Sequence, residues 1–259
     1  MEFSTALLFS IIINILLFIP AFLLKTDKLT DLSYSISFAA VALFLFLKSE
    51  KNILDYVLLI MILGWSFRIG FYLLKRILKT KKDVRFDGIR ESFWKFFGFW
   101  IIQAISVWLI LLPTIIFFFN SKKESSLLLI FLGTIIFLIG LIIETIADKQ
   151  KFDFKNNLAN KDLWIETGLW KYSRHPNYFG EILVWIGIFV LSTSINISMS
   201  YVFVGIISPI YIFIILRYFS GIPPLEKKYD QRFSENKNYL KYKQKTNLLI
   251  LGPNKNLTE

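Results

Sequence analysis

The sequence predicts an all-α, polytopic membrane protein with seven transmembrane helices, N-terminus outside and C-terminus cytoplasmic. Three observations carry this. Hydrophobic residues make up 55% of the 259, with 27 phenylalanines and a mean hydropathy of +0.55, far from the composition of a soluble domain. Apolar runs recur at about the 20-residue length that a span needs. Lysine and arginine gather in alternate connections between those runs. Helices follow from length, because a backbone in lipid must satisfy its polar groups within the segment.

The predicted spans cover 5–24, 31–47, 53–74, 93–118, 126–146, 178–195 and 199–219. The first follows Met1-Glu2 without a basic leader or a small-residue cleavage pattern, so it reads as a retained span. Asp31 and Tyr34 open the second. The third carries Arg68, an embedded base that costs about 2.5 kcal/mol or more at the bilayer centre, and Tyr72 one turn later. The connection that follows mixes Asp83, Arg85, Asp87 and Arg90, a pattern expected of a paired, structured segment as well as of a solvated basic loop. The fifth span closes with Glu144 and runs into Asp148-Lys149-Gln150-Lys151. A carboxylate within a span is costly enough to mark a functional-site hypothesis, with Lys149, Lys151 or an arginine as its partner.

Between the last two spans lies only the polar turn 193–198, which predicts an antiparallel hairpin. After Arg217, the positions Leu225, Tyr229, Phe233, Tyr239 and Tyr242 fall at helical spacing with basic residues between them. Residues 220–259 therefore read as a cytoplasmic amphipathic segment, lying against the membrane or over the bundle, with a polar, frayed tail from Gly252. The chain reads as one integral membrane domain, 1–259.

Orientation comes from the positive charges. With the C-terminus inside, the inner connections hold Lys25 and Lys28, seven bases between Lys75 and Arg90, six between Lys149 and Arg174 and nine between Arg217 and Lys255, 24 in all, against 4 outside at Lys48, Lys51, Lys122 and Lys123. The formal charge of +11 is then read as inner loops contacting anionic lipid. Nucleic acid is not an expected partner, because no basic segment has a binding fold around it. The absence of cysteine and the single histidine exclude a disulfide framework, thiolate chemistry and a multi-histidine metal centre of the di-iron type.

The site prediction centres on 168–185. There Arg174, the lone His175, Asn177, Tyr178 and Glu181 stand at the mouth of an apolar helix that Pro176 is suited to start. Helical spacing sets Tyr178 beside Glu181 and puts Asn177 on nearly the same face as Glu181. A helix N-terminus offers free amides and partial positive charge, suited to an anionic group such as a cofactor phosphate. The plain alternative is a membrane helix with a polar start.

These residues carry a family resemblance. Gly168-Leu169-Trp170-Lys171-Tyr172-Ser173-Arg174-His175-Pro176-Asn177-Tyr178-Phe179-Gly180-Glu181, preceded by Ala147-Asp148-Lys149-Gln150-Lys151-Phe152 and followed by Pro224-Leu225-Glu226-Lys227-Lys228-Tyr229, resembles the bacterial branch of the steroid 5-alpha-reductase C-terminal domain family. Members of that branch are often recorded as a domain of unknown function. The likeness is clearest over 144–250 and extends to 83–113, giving a family core at 83–250 and leaving spans up to residue 80 on the substrate side. Related families are the sterol C14 and delta-7 reductases and the isoprenylcysteine carboxyl methyltransferases.

The resemblance implies a seven-helix reductase of a bacterial inner membrane, taking NADPH from the cytoplasmic side and a lipophilic substrate from the bilayer. By position, Asn177 and Glu181 match nicotinamide-site residues, Arg217 matches a phosphate-contacting arginine, and the Lys149 to Lys151 stretch resembles the adenosine-contacting segment. Arg174, His175 and Glu226 join this cofactor set, and Tyr178 lines the cavity. Aligning Arg68 and Tyr72 with the family's third span places Trp65 where the catalytic tyrosine stands, and an indole cannot deliver a proton at neutral pH. Asp31, Tyr34, Tyr72 or Glu144 is then the expected proton source, a buried carboxyl being able to stay protonated. A rival expectation is methyl transfer from S-adenosylmethionine, since Arg174-His175-Pro176 and the Glu226 region are shared with the carboxyl methyltransferases. A non-enzymatic membrane scaffold is the third.

Overall fold

The computed structural model describes residues 2–80, 86–120 and 124–255. Asp83, Arg85, Lys122 and Lys123 lie outside them. The described residues form helices and contain no strand, only two isolated bridges, Ser125 with Ile195 and Ser173 with Asn247. In chain order the helices are α1 (Glu2–Leu23), α2 (Lys28–Lys48), α3 (Ile53–Thr80), α4 (Phe93–Ile110), α5 (Leu112–Phe118), α6 (Leu127–Asn156), α7 (Pro176–Ser192), α8 (Met199–Gly205), α9 (Ile207–Ile214), α10 (Ile222–Phe233) and α11 (Lys237–Lys245).

Among the described residues six helical stretches are long and apolar enough to cross a membrane: Glu2–Leu23, Lys28–Lys48, Ile53–Lys79, Phe93–Ile110, Leu127–Asn156 and Met199–Phe233. This is an integral membrane protein. The apolar α7 has 17 residues, about 25 Å of helix at 1.5 Å per residue.

Two compact units share the chain: Met1–Leu132 with Ile188–Ser208, and Gly133–Gly187 with Pro209–Glu259. In the first, α2 packs on α3 and α1 on α4, around the fully buried rings of Phe38, Trp65, Phe96, Trp100 and Phe117. A reciprocal cap starts α3. Asn52 Oδ1 accepts from the amides of Leu54 and Asp55, and Asp55 Oδ2 accepts from the amide of Asn52. Between α4 and α5 the helix steps at Leu111, where Pro113 brings no amide to continue the ladder.

One set of polar groups buried in this unit is joined across helices. Gln103 donates to Asn14 and Ser33, Asn14 donates to Ser37, and Ser10 donates to the carbonyl of Ala104. Such links between membrane helices are worth about 0.6 kcal/mol each. Arg90 is buried and pairs with Asp27, Asp87 and Glu91, so the mixed-charge connection is a paired structure over its described part. The turn after α7 is also fixed. The amide of Ser126 donates to the carbonyl of Ser194, and that of Asn196 to Glu124.

In the second unit the buried face of α6 repeats at helical spacing through Gly133, Phe137, Gly140, Glu144, Ala147, Asp148 and Lys151. Its apolar half meets α7 through glycines. A Cβ on Gly180 would lie 2.6 Å from the Glu144 amide nitrogen and 2.7 Å from the Gly140 carbonyl, and one on Gly187 would lie 2.5 Å from the Phe137 nitrogen. The two backbones therefore touch, as small residues allow in membrane helix pairs. Its charged half, from Glu144 to Lys151, is what the loop before α7 covers.

Candidate functional site

The loop between α6 and α7 is pinned at the turn Gly168–Lys171. Gly168 has φ +61° and its Cβ position is filled by the Gln150 amide, whose Oε1 accepts from the Leu169 amide, so only glycine fits here. Trp170 is buried, with its indole Nε1 donating to the Ala147 carbonyl at 3.1 Å and its ring under the Lys151 ammonium at 4.6 Å. The C-terminal segment then holds the next residues. The Arg174 amide donates to the Asn247 carbonyl (2.8 Å), Ser173 Oγ to the Leu249 carbonyl (2.7 Å), and the Tyr242 hydroxyl to the Trp170 carbonyl (2.8 Å). Further on, the Lys255 amide donates to the Lys245 carbonyl. Asn247 Nδ2 donates to the carbonyls of Gly252 and Pro253, at the start of the segment expected to fray.

Glu226, on α10, is the centre of the arrangement. Its Oε2 accepts from Arg174 Nη1 at 2.7 Å and its Oε1 faces His175 Nε2 at 2.9 Å. Lys243 lies 3.7 Å from the same carboxylate and is bound to Asp230, which also accepts from the Tyr239 hydroxyl at 2.8 Å. Burial, partly offset by the hydrogen bond to Glu226, pushes the His175 imidazole down from 6.5 to about 4. The ring is thus neutral at physiological pH. A carboxylate can only accept, so Nε2 carries the ring proton and Nδ1 is the acceptor. Burial pushes the Tyr239 and Tyr242 phenols well above their ordinary value, and both remain donors.

Around this cluster a pocket is lined by Lys151, Trp164, Trp170, Tyr229, Tyr239 and Tyr242 together with Ile165, Arg174, His175 and Glu226. Two polar atoms of its lining residues are buried without a partner, the donor Arg174 Nε and the acceptor His175 Nδ1. Its free volume is about 30 Å³, room for about two waters. A ring-sized ligand therefore requires the pocket walls to part.

The structure gathers Arg174, His175, Glu226 and Lys151 of the expected cofactor residues at this pocket, and Tyr178 stacks on His175 with ring centroids 5.6 Å apart. Asn177 and Glu181 lie on α7 outside the pocket lining. Asn177 Nδ2 donates to Asp148 Oδ1 at 3.2 Å, its Oδ1 is buried without a partner, and Glu181 is buried. Lys149, two positions before Lys151 and so on the far side of α6, is exposed and paired with Asp153 at 2.6 Å. Arg217 sits in a π-turn over 215–219, its guanidinium 4.9 Å from the Tyr218 ring.

Of the expected proton sources, Glu144 is buried on α6. The other three belong to the first unit. Asp31 is ion-paired with Arg76, Tyr34 packs edge-on against Phe38 and Trp65, and Tyr72 is half-buried on α3. The residues that sequence reasoning left out of the site are Trp164, Trp170, Tyr229, Tyr239, Tyr242, Asp230 and Lys243. The helical spacing of Tyr229, Tyr239 and Tyr242 was the available signal for three of them.

Fold and site together define the class: an integral membrane protein, helical over its described residues, with an aromatic-walled, charge-lined pocket built from α6, the α6–α7 loop, α10 and α11. The chain belongs to the family described as "Protein of unknown function (DUF1295)", whose model matches residues 17–246. An uncharacterized protein of Schizosaccharomyces pombe is 24% identical over 228 residues, covering 76% of this chain and 66% of that relative, just under two thirds of its length. No solved structure matches the chain.

Proposed function

We propose that this protein is an NADPH-dependent reductase acting on an activated carbon–carbon double bond of a steroid-like or other lipid. The observation that supports it best is the pocket at Arg174, His175 and Glu226. The unpartnered Arg174 Nε–H and His175 Nδ1 offer one donor and one acceptor, Lys151 and Arg174 bring positive charge, and the surrounding rings offer stacking faces. That donor set suits part of a pyridine nucleotide once the pocket walls part. Bound, such a cofactor supplies hydride. The chain's own residues do the rest. Glu226 orients Arg174 and holds the proton of His175 on Nε2, so that Nδ1 faces the ligand as an acceptor. Asn177 and Glu181 are assigned to the nicotinamide amide and Arg217 to a phosphate, on the family likeness. Asp31, Tyr34, Tyr72 or Glu144 is assigned the proton delivered to the alkene carbon beside the one that takes the hydride, and Asp31 must first leave Arg76 to serve.

In this reading α7 is the sixth of seven spans, shorter than the others because its first turns belong to the site. The 24-to-4 distribution of basic residues supports a cytoplasmic C-terminus, which opens the pocket to cellular nucleotide, and a bacterial inner membrane is the expected location. The test is oxidation of NADPH by the purified protein with a panel of enone lipids and steroids. Turnover that vanishes in Arg174→Met is expected, and turnover equal in both proteins removes the assignment. A second reading, transfer of a methyl group from S-adenosylmethionine, is favoured by one feature: a carboxylate, Glu226, among five aromatic rings suits a sulfonium cation.

A further inference from the structure

The outer faces of α10 and α11 are as ordered in their chemistry as the inner faces. On α11, Lys237, Lys241 and Lys245 fall at i, i+4 and i+8, all exposed, with Leu240 and Gln244 exposed beside them. At 100° per residue these five share one side of the helix, opposite Tyr239, Tyr242 and Lys243, which line or support the pocket. On α10, Lys227 and Lys228 are exposed while Glu226 and Tyr229 line the pocket. None of these five outer lysines has an ion pair among the described residues. The basic residue that does pair outward is Arg232, with Asp162. Of the two carboxylates between the lysine sets, Asp230 is held by Lys243 and Tyr239, and Glu235 is exposed.

Attachment decides what meets this face. Helix α10 starts at Ile222, three residues after Phe219 closes the π-turn, and forms the last part of the helical stretch Met199–Phe233 that carries the final membrane-length apolar segment. The lysines are tethered next to a bilayer surface, and a lysine near an anionic surface gains about 1 kcal/mol, roughly a fivefold preference each. We propose that the outer faces of α10 and α11 dock on anionic phospholipid head groups of the membrane that holds the chain. Docking restrains the two helices that carry Glu226, Tyr229, Tyr239 and Tyr242 of the pocket wall. The proposal rests on the pocket's geometry and not on which ligand fills it.

The chain has no cysteine, so Gln244→Cys gives a single labelling site on the docking face. The full-length protein, labelled with a fluorophore, is placed in nanodiscs of phosphatidylcholine alone or with phosphatidylglycerol, and quenching by neutral acrylamide is measured. Protection is expected only with phosphatidylglycerol. It should be lost near 1 M salt, where the Debye length falls to about 3 Å, and lost in Lys237→Glu/Lys241→Glu/Lys245→Glu. Hydrogen exchange over 222–245 should slow in the anionic discs and not in that variant. Because these lysines are exposed and unpaired, the variant should keep the parent's melting temperature in detergent. Equal quenching in both lipids, or protection that survives the triple substitution, overturns the proposal. Nucleotide binding without lipid-dependent protection also overturns it, whereas protection without nucleotide binding supports it and counts against the cofactor reading alone.

Discussion

Removing the Glu226 carboxylate strands two groups at once. Arg174 is 13% exposed and Glu226 18% at the side chain, while His175 is 3% exposed. Deleting one member of a fully buried pair costs about 3–5 kcal/mol, and the residual exposure lets water soften that, so Glu226→Ala should destabilise by about 2–3 kcal/mol. Glu226→Gln is instructive because the amide can serve both neighbours only by reorganising them. Its oxygen accepts from Arg174 while its NH2 donates to His175 Nε2, which moves the ring proton to Nδ1. The expected loss is about 1 kcal/mol, and the pocket's one acceptor becomes a donor. A double-mutant cycle between Arg174→Met and Glu226→Gln, read by unfolding in mixed micelles, should give a coupling of about 2 kcal/mol. Additivity within about 0.5 kcal/mol would refute the pairing on which the site is built.

Three further outcomes follow from the geometry. Gly180→Ala and Gly187→Ala should each destabilise by about 1–3 kcal/mol through overpacking of α6 on α7, whereas Gly64→Ala, with nothing within 4 Å of the added carbon, should be neutral or stabilising by up to about 1 kcal/mol in thermal melts. For His175, the folded value near 4 against 6.5 unfolded means the unfolded chain takes up the proton first. The stability it contributes is complete above pH 6.5 and is lost as pH falls toward 4, by up to about 3 kcal/mol. His175→Phe should flatten that segment of the stability–pH curve. Tyr242→Phe removes the bond to the Trp170 carbonyl and should lower stability by about 1 kcal/mol, with faster hydrogen exchange in the loop before α7.

Much of the architecture could be read from the residues because the bilayer imposes it. Span length and backbone satisfaction leave helices alone, and α1 to α4 and α6 start within about three residues of the predicted spans, whereas α3 runs on to Thr80 and α6 to Asn156, past the apolar runs that ended at 74 and 146. The step at Leu111 and the π-turn near Arg217 were not legible, since each depends on how neighbouring helices fill the gap. At the site, Arg174, His175 and Glu226 stood out as polar groups beside apolar segments, yet their mutual hydrogen bonds join residues about fifty positions apart, which spacing does not reveal. Lys149 and Lys151 looked equivalent in sequence, and helical rotation turned one outward and the other onto Trp170. The aromatic walls were ambiguous for a physical reason: Tyr229, Tyr239 and Tyr242 at helical spacing would serve a membrane surface as well as a pocket, and only packing shows that the rings turn inward while the lysines turn out.

The most direct measurement is ligand-induced stabilisation of the detergent-purified protein by NADPH, NADH and S-adenosylmethionine, compared with the Arg174→Met and Glu226→Gln variants. A ligand at about 100 times its Kd should add about 2.7 kcal/mol to the native state. The account predicts a shift selective for NADPH that disappears in Arg174→Met. A selective shift with S-adenosylmethionine would replace reduction by methyl transfer at the same pocket, and a shift that survives both substitutions would contradict the assignment of the Arg174–His175–Glu226 pocket as the binding site.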